Sequence, residues 1–252
     1  MNPDLLLLGA GLLGGAMNAL AGGGSFVTLP ALIAAGVPSV AANASSTLAL
    51  YPGGVASAWV YRKGLTTVAG VPLRPAFIAS LVGGLLGALL LLWTPGAVFD
   101  HILPWLLLAA TLTLAFAPRL GPILRRRVRL GVATLLTIQF VLGIYGGYFG
   151  GAVGLMMISA WSLLDTADLR ALNPARTLMV TAANTVAVLC FILAGAIRWP
   201  EALAVAMGAV AGGSGGAWLG KRLPAPLIRA VTLLLAAGIT IAFFVRAFAK
   251  AH

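Results

Sequence analysis

A chain of 252 residues that is 61% hydrophobic and 8% charged, with mean hydropathy +1.05, is no soluble domain, where about a quarter of residues carry charge. A net charge of +11 would point to nucleic acid in a soluble protein, but here the basic residues sit at the ends of apolar runs. That is the positive-inside pattern, so nucleic acid is excluded as a partner and membrane lipid takes its place.

Ten apolar segments follow in order. Segment one covers 4–21 and ends at Gly22-Gly23-Gly24; it lacks the basic start of a signal peptide and is read as mature structure. Segment two, 25–35, is too short to span a core of roughly 30 Å at 1.5 Å per residue. Segments three to five cover 39–61, 75–93 and 102–117, and a basic connector occupies 119–129. The second half gives 130–145, a short 151–164, then 172–197, 200–219 and 224–248.

The halves align. Gly14-Gly15 recurs as Gly146-Gly147, 132 residues on, and Asn43…Thr47-Leu48 recurs as Asn173…Thr177-Leu178, 130 on. Gly83-Gly84-x-x-Gly87-Ala88 recurs as Gly212-Gly213-x-x-Gly216-Ala217, 129 on. Three matches in order at nearly constant offset indicate an internal duplication. The fold class expected is an all-α polytopic membrane protein of two five-segment repeats, 1–118 and 130–252, joined by the cytoplasmic linker 119–129. The first two segments of each repeat are short or broken at glycines. An odd number of segments per repeat makes the second inverted relative to the first. Charge fixes the orientation: twelve Lys or Arg fall on one side against three on the other, Arg176 being left in the membrane, so both termini are expected in the periplasm. Trp59, Tyr61, Trp93, Trp199 and Trp218 mark the rims, for which interface anchoring is a sufficient account. Gly83/Gly87 and Gly212/Gly216 read as close helix packing.

Catalysis has little support. Cys190 is a lone apolar-stretch thiol, His101 and His252 have no ligand or triad context, and no carboxylate pair lies in a span. No cofactor or metal is expected; Asp165 and Asp168 flank the loop into segment eight, where Asp168 caps the helix or pairs with Arg170.

Anion recognition has more. Asn43, Ser46 and Thr47 stand at i, i+3 and i+4 on one helix face, and Asn173, Arg176 and Thr177 repeat the spacing with a cation added. Ser25 can cap the short helix after Gly23 and Gly24, and Gly150 and Gly151 open the second. Helix N-termini that stop inside a bilayer carry positive ends to its middle. For any single Ser or Thr, helix-to-helix bonding is the plainer reading.

At these residues the sequence resembles the TauE/SafE-type sulfite and organosulfonate transporters. The resemblance rests on Gly-Gly-x-x-Asn18-x-Leu-Ala-Gly22-Gly-Gly-Ser25, on Ala-Asn43-Ala-x-x-Thr47, and on Gly-Ile-Tyr-Gly146-Gly-Tyr-Phe-Gly150 with Leu-Asn173-x-x-Arg176-Thr. It covers nearly the whole chain and implies a multi-pass inner-membrane permease for small sulfur-containing anions such as sulfite or sulfonates. Where the family often has Asn-Ala-x-Lys, this chain has Asn-Pro-Ala-Arg176, which keeps the charge and adds bidentate donation. The alternatives are an anion channel on the same fold, a carrier of other small organic acids, or a membrane scaffold or enzyme subunit without transport activity. A homodimer is among the oligomeric states left open.

Overall fold

The computed structural model describes residues 3–61, 67–68, 71–125, 131–161, 169–220 and 222–249. Among them are ten α-helices: α1 (Pro3–Ala21), α2 (Ser25–Ala34), α3 (Ser39–Tyr61), α4 (Leu73–Trp93), α5 (Gly96–Arg125), α6 (Val132–Tyr148), α7 (Val153–Trp161), α8 (Leu169–Leu193), α9 (Trp199–Gly220) and α10 (Ala225–Ala249). Five of these are long and apolar enough to cross a membrane, within α1, α4, α5, α8 and α10. The helices follow the ten apolar segments in order, with shifted bounds: α5 begins at Gly96, six residues before its expected segment, and α6 runs to Tyr148, three beyond its own. Two short strands, β1 (Thr67–Val68) and β2 (Val71–Pro72), pair antiparallel in the turn before α4. Helix α5 runs on to Arg125, so the expected basic linker begins inside a helix. Helix α8 stops at Leu193 because Gly195, at φ +65°, closes it: Ala196 N–H bonds Phe191 O and Gly195 N–H bonds Ile192 O. Arg62-Lys63, Arg126-Arg127, Asp165 and Asp168 lie outside the described residues.

Glycine sets which helices touch. Helix α1 runs parallel to α9, with Leu8, Leu12 and Ala16 facing Gly208, Gly212 and Gly216. A Cβ at Gly11, Gly15, Gly208 or Gly212 would enter the opposing main chain. Helix α4 runs parallel to α6 by the same device, with Gly83 and Gly87 against the backbone of Phe140, Ile144 and Tyr148, and Gly147 against Gly84. This is small-residue packing, which lets backbones approach where the hydrophobic effect gives no drive between helices. Two further pairs run antiparallel. Tyr51 OH and Thr185 Oγ1 bond at 2.9 Å and Thr181 Oγ1 donates to Gly54 O at 3.1 Å, joining α3 to α8. Thr111 and Thr240 bond at 2.9 Å, and Trp105 stacks edge-on to Phe244, joining α5 to α10.

Buried polar groups are largely answered. Gln139, fully buried, donates to Ser80 Oγ at 2.8 Å and accepts from Trp161 Nε1 at 3.0 Å, which fixes α7 against α6 and α4. Arg229 donates to Leu114 O and Ala115 O. Leu114 O is the carbonyl whose helical partner would be Pro118, which has no N–H, so the arginine replaces a missing bond. The outer surface is apolar: Leu193 is 87% exposed and Leu234 73%, as suits contact with lipid.

Candidate functional site

The site grows from two helix hairpins. Helix α2 folds back antiparallel on α1, with Thr28 against Gly14 and Gly24 against Asn18, and it also lies antiparallel to α3, with Gly24 against Leu50 and Thr28 against Ser46. Its start is thus level with Leu50, and α3 runs on past it to Tyr61. Helices α6 and α7 make the second hairpin, with Val153 on Gly146 and Trp161 on Gln139. At ten and nine residues, α2 and α7 rise only about 15 Å, half of a bilayer core.

Both tips turn through a glycine in the left-handed region, Gly22 and Gly150, each at φ +74°. Ala152 shares that region at φ +56° while fully buried, a backbone cost found mainly where function demands the shape. The first N–H groups of α2 and α7 lie at these tips. Gly24 takes the cap position of α2 and no side chain caps it, so Ser25 is the first helical residue and not the cap. Gly24 has helical dihedrals, which carry the turn one residue further back than the sequence suggests.

The tips meet across α3 and α8. A methyl on Gly150 would lie 3.6 Å from Thr47 Oγ1, and one on Gly22 would lie 3.8 Å from Arg176 Nη1. The Arg176 side chain reaches that position along Gly154, where a Cβ would stand 3.1 Å from Cδ and 3.5 Å from Nε. Each tip is therefore met by a polar side chain from the opposite half of the chain.

Around this point lies a cavity of about 740 Å³. Of the residues singled out from sequence, Asn18, Gly22, Ser25, Thr47, Gly150, Arg176 and Thr177 line it. Gly23, Gly24, Gly151, Asn43 and Ser46 do not. Asn43 is 1% exposed and donates from Nδ2 to Tyr148 O at 2.9 Å, at the end of α6. Ser46 bonds Thr28 at 2.6 Å, α3 to α2. The side chain of Asn173 lies outside the described residues. Among the described lining residues Arg176 is the only ionised side chain and none is a carboxylate. A cation, two positive helix ends and several polar side chains around one cavity can accommodate a small anion.

Sequence reasoning missed Tyr51, Thr181, Asn184 and Ser214, which also line the cavity. Asn184 has a buried Oδ1 with no hydrogen-bond partner among the described residues. The signal was present: Thr177, Thr181 and Asn184 continue the polar stripe of α8 at i, i+4 and i+7. The cavity is closed at one end and open at the other. On α3, Ser45, Ser46 and Thr47 are buried, whereas Pro52, Gly53, Ala56 and Ser57 are exposed. The closed end is tied by Asn43 to Tyr148, Ser46 to Thr28, and Arg198 N–H to Ser45 Oγ at 2.9 Å.

Residues 7–243 match the profile of the family described as "Sulfite exporter TauE/SafE". The chain is 31% identical over 242 residues to the "Probable membrane transporter protein YfcA" of Escherichia coli K12, covering 92% of this chain and 89% of that one. It is 30% identical over 245 residues to a "Probable membrane transporter protein" of Haemophilus influenzae, covering 93% and 94%. To the "Probable membrane transporter protein ORF9" of Sinorhizobium it is 29% identical over 233 residues, covering 90% and 88%. No solved structure matches.

Proposed function

The chain belongs to the TauE/SafE sulfite exporter family, and from that premise we propose that it is a permease for small sulfur-containing anions, sulfite or organosulfonates, in the bacterial inner membrane. Family membership itself makes it a multi-pass membrane transporter and not an enzyme. The observation that carries the substrate reading is the cavity's charge: Arg176 stands at the meeting of two hairpin tips, with no carboxylate among the described lining residues. In this reading Arg176 forks onto two oxygens of the anion. Thr177, Asn18 and Ser25 and the N–H groups beside Gly22 and Gly150 supply further donors, whereas the Thr47 hydroxyl donates to Asn43 O at 2.9 Å and only lines the cavity. By its spacing in the sequence Asn173 belongs to the same stripe, Asn43 and Ser46 hold helices together, and Gly23, Gly24 and Gly151 shape the tips.

Inverted repeats with boundaries near 118 and 130 are supported by the packing. Exchanging the halves turns the α1–α9 pair into α6–α4, and both pairs are parallel and glycine-lined. The pairs that map onto themselves, α3–α8 and α5–α10, are antiparallel, as an axis in the membrane plane requires. Thr111 and Thr240, which touch, are 129 residues apart, the repeat offset itself. With the basic ends of α3, α8 and α9 cytoplasmic, the termini are periplasmic and the cavity opens inward. A cavity closed at one end favours a carrier over a channel.

Flux in liposomes tests the proposal against a panel of sulfite, sulfonates, sulfate and carboxylates. Saturable sulfite or sulfonate uptake, accelerated by the same anion on the far side, is the expected result. Movement of carboxylates alone would remove the substrate class, and large non-saturating currents would replace the carrier with a channel.

A further inference from the structure

A second cavity, of about 250 Å³, lies where α5 begins and α2 and α10 end. It shares no lining residue with the first. Asp100 and His101 of α5 face it, as does Arg246 of α10, over an apolar floor that includes Ile33, Leu103 and Phe243. His101 Nδ1 is 2.7 Å from Ala97 O. A carbonyl only accepts, so Nδ1 carries the hydrogen and, on the neutral ring, Nε2 is left as an acceptor. The site thus offers a carboxylate and an imidazole nitrogen on one wall and a guanidinium on the other.

Asp100 and Arg246 line the same small space, yet no ion pair joins them to each other or to another described residue. Arg246 complements its own helix end, in the last turn of α10, whereas Asp100 lies beyond the first turn of α5. That accounts for the position of Arg246 and not for that of Asp100. Opposite charges facing one cavity without touching suit a ligand that carries both signs. The flanks are apolar and lipid-facing: Val98 and Ile102 on α5 and Ile241 and Val245 on α10 are exposed. Trp105, against Phe244 at 5.1 Å between ring centroids, belongs to the same rim.

We infer that this cavity binds the headgroup of an amine-bearing zwitterionic phospholipid. The ammonium sits on Asp100 and His101 Nε2, the phosphate sits on Arg246, and the acyl chains lie along the apolar faces of α5 and α10. A free zwitterion of the same chemistry would meet the charges but leave those faces uncovered.

The test uses the full chain, purified and offered phosphatidylethanolamine, phosphatidylglycerol or soluble phosphoethanolamine. Retained lipid is counted by native mass spectrometry and protection by thermal melting. Phosphatidylethanolamine should be retained about fivefold over phosphatidylglycerol, the equilibrium equivalent of one partly exposed ion pair. Asp100→Asn should erase that preference, Asp100→Glu should keep it, and Arg246→Gln should lower retention of both lipids. Equal retention of the two lipids by the wild type, or an unchanged preference in Asp100→Asn, would overturn the inference. Equal protection by soluble phosphoethanolamine would also overturn it, in favour of a solute site. A variant that does not fold is replaced by Asp100→Ser or Arg246→Met, read by the same two outcomes.

Discussion

Gly154 gives the sharpest single-atom test of how Arg176 is placed. Adding one methyl there puts Cβ 3.1 Å from Arg176 Cδ and 3.5 Å from Cγ and Nε, where relaxed carbon contacts lie near 3.5–4.0 Å. The neighbour is the middle of a flexible side chain, not backbone, so the arginine yields by a few tenths of an ångström and the fold does not. The displacement grows toward the guanidinium, which sits by Gly22. A bidentate grip depends on that placement; losing one of its two charge-assisted bonds costs about 1.5 kcal/mol, or roughly tenfold in affinity. Gly154→Ala should therefore raise the half-saturating sulfite concentration about tenfold in proteoliposomes, while the melting temperature moves by under about 2 °C. If Gly154→Ala keeps wild-type affinity while Arg176→Gln has lost it, the Gly154 surface does not position the arginine, and the reasoning from this contact is refuted.

Other outcomes follow from the same geometry. Arg176→Lys should retain transport with weaker affinity, since the point charge survives without the fork; kinetics in proteoliposomes will show it. Gly212→Val should lower the melting temperature strongly, because its Cβ enters the Leu12 backbone, whereas Gly238→Ala, with nothing within 4 Å, should leave it unchanged. Gln139→Leu strands Trp161 Nε1 and should cost about 1–3 kcal/mol of stability, read as earlier loss of the folded form on heating or denaturant titration. A cytoplasm-negative potential should drive export of a −1 anion, toward about a fiftyfold gradient per 100 mV, and a pH step alone should not drive accumulation. In a Cys190→Ala background, an impermeant thiol reagent should reach a cysteine at position 2 and not one at 121 in intact cells.

The ten helices were legible because hydropathy and glycine punctuation act locally. Apolar runs, the short 25–35 segment and the Gly22 and Gly150 breaks all appear without tertiary information. What stayed hidden depends on partners. Asn43 and Ser46 share the polar stripe with Thr47, and spacing alone cannot tell that the first two turn to Tyr148 and Thr28 while Thr47 meets the cavity. Asn184 lay in an apolar context that disguised its place on the Arg176 face. The run of α5 to Arg125 was hidden by its prolines, because the carbonyl left by Pro118 is answered by Arg229 from α10, 115 residues beyond Leu114.

The central claim is that Arg176, at the meeting of the two hairpin tips, holds the transported anion. Sulfite efflux from loaded proteoliposomes, measured for the wild type and Arg176→Gln at matched incorporation and matched melting temperature, tests it most directly. The account predicts saturable efflux from the wild type and none above protein-free vesicles from Arg176→Gln. Equal rates and equal affinity in the two would contradict it, and would leave Arg176 as an interface anchor.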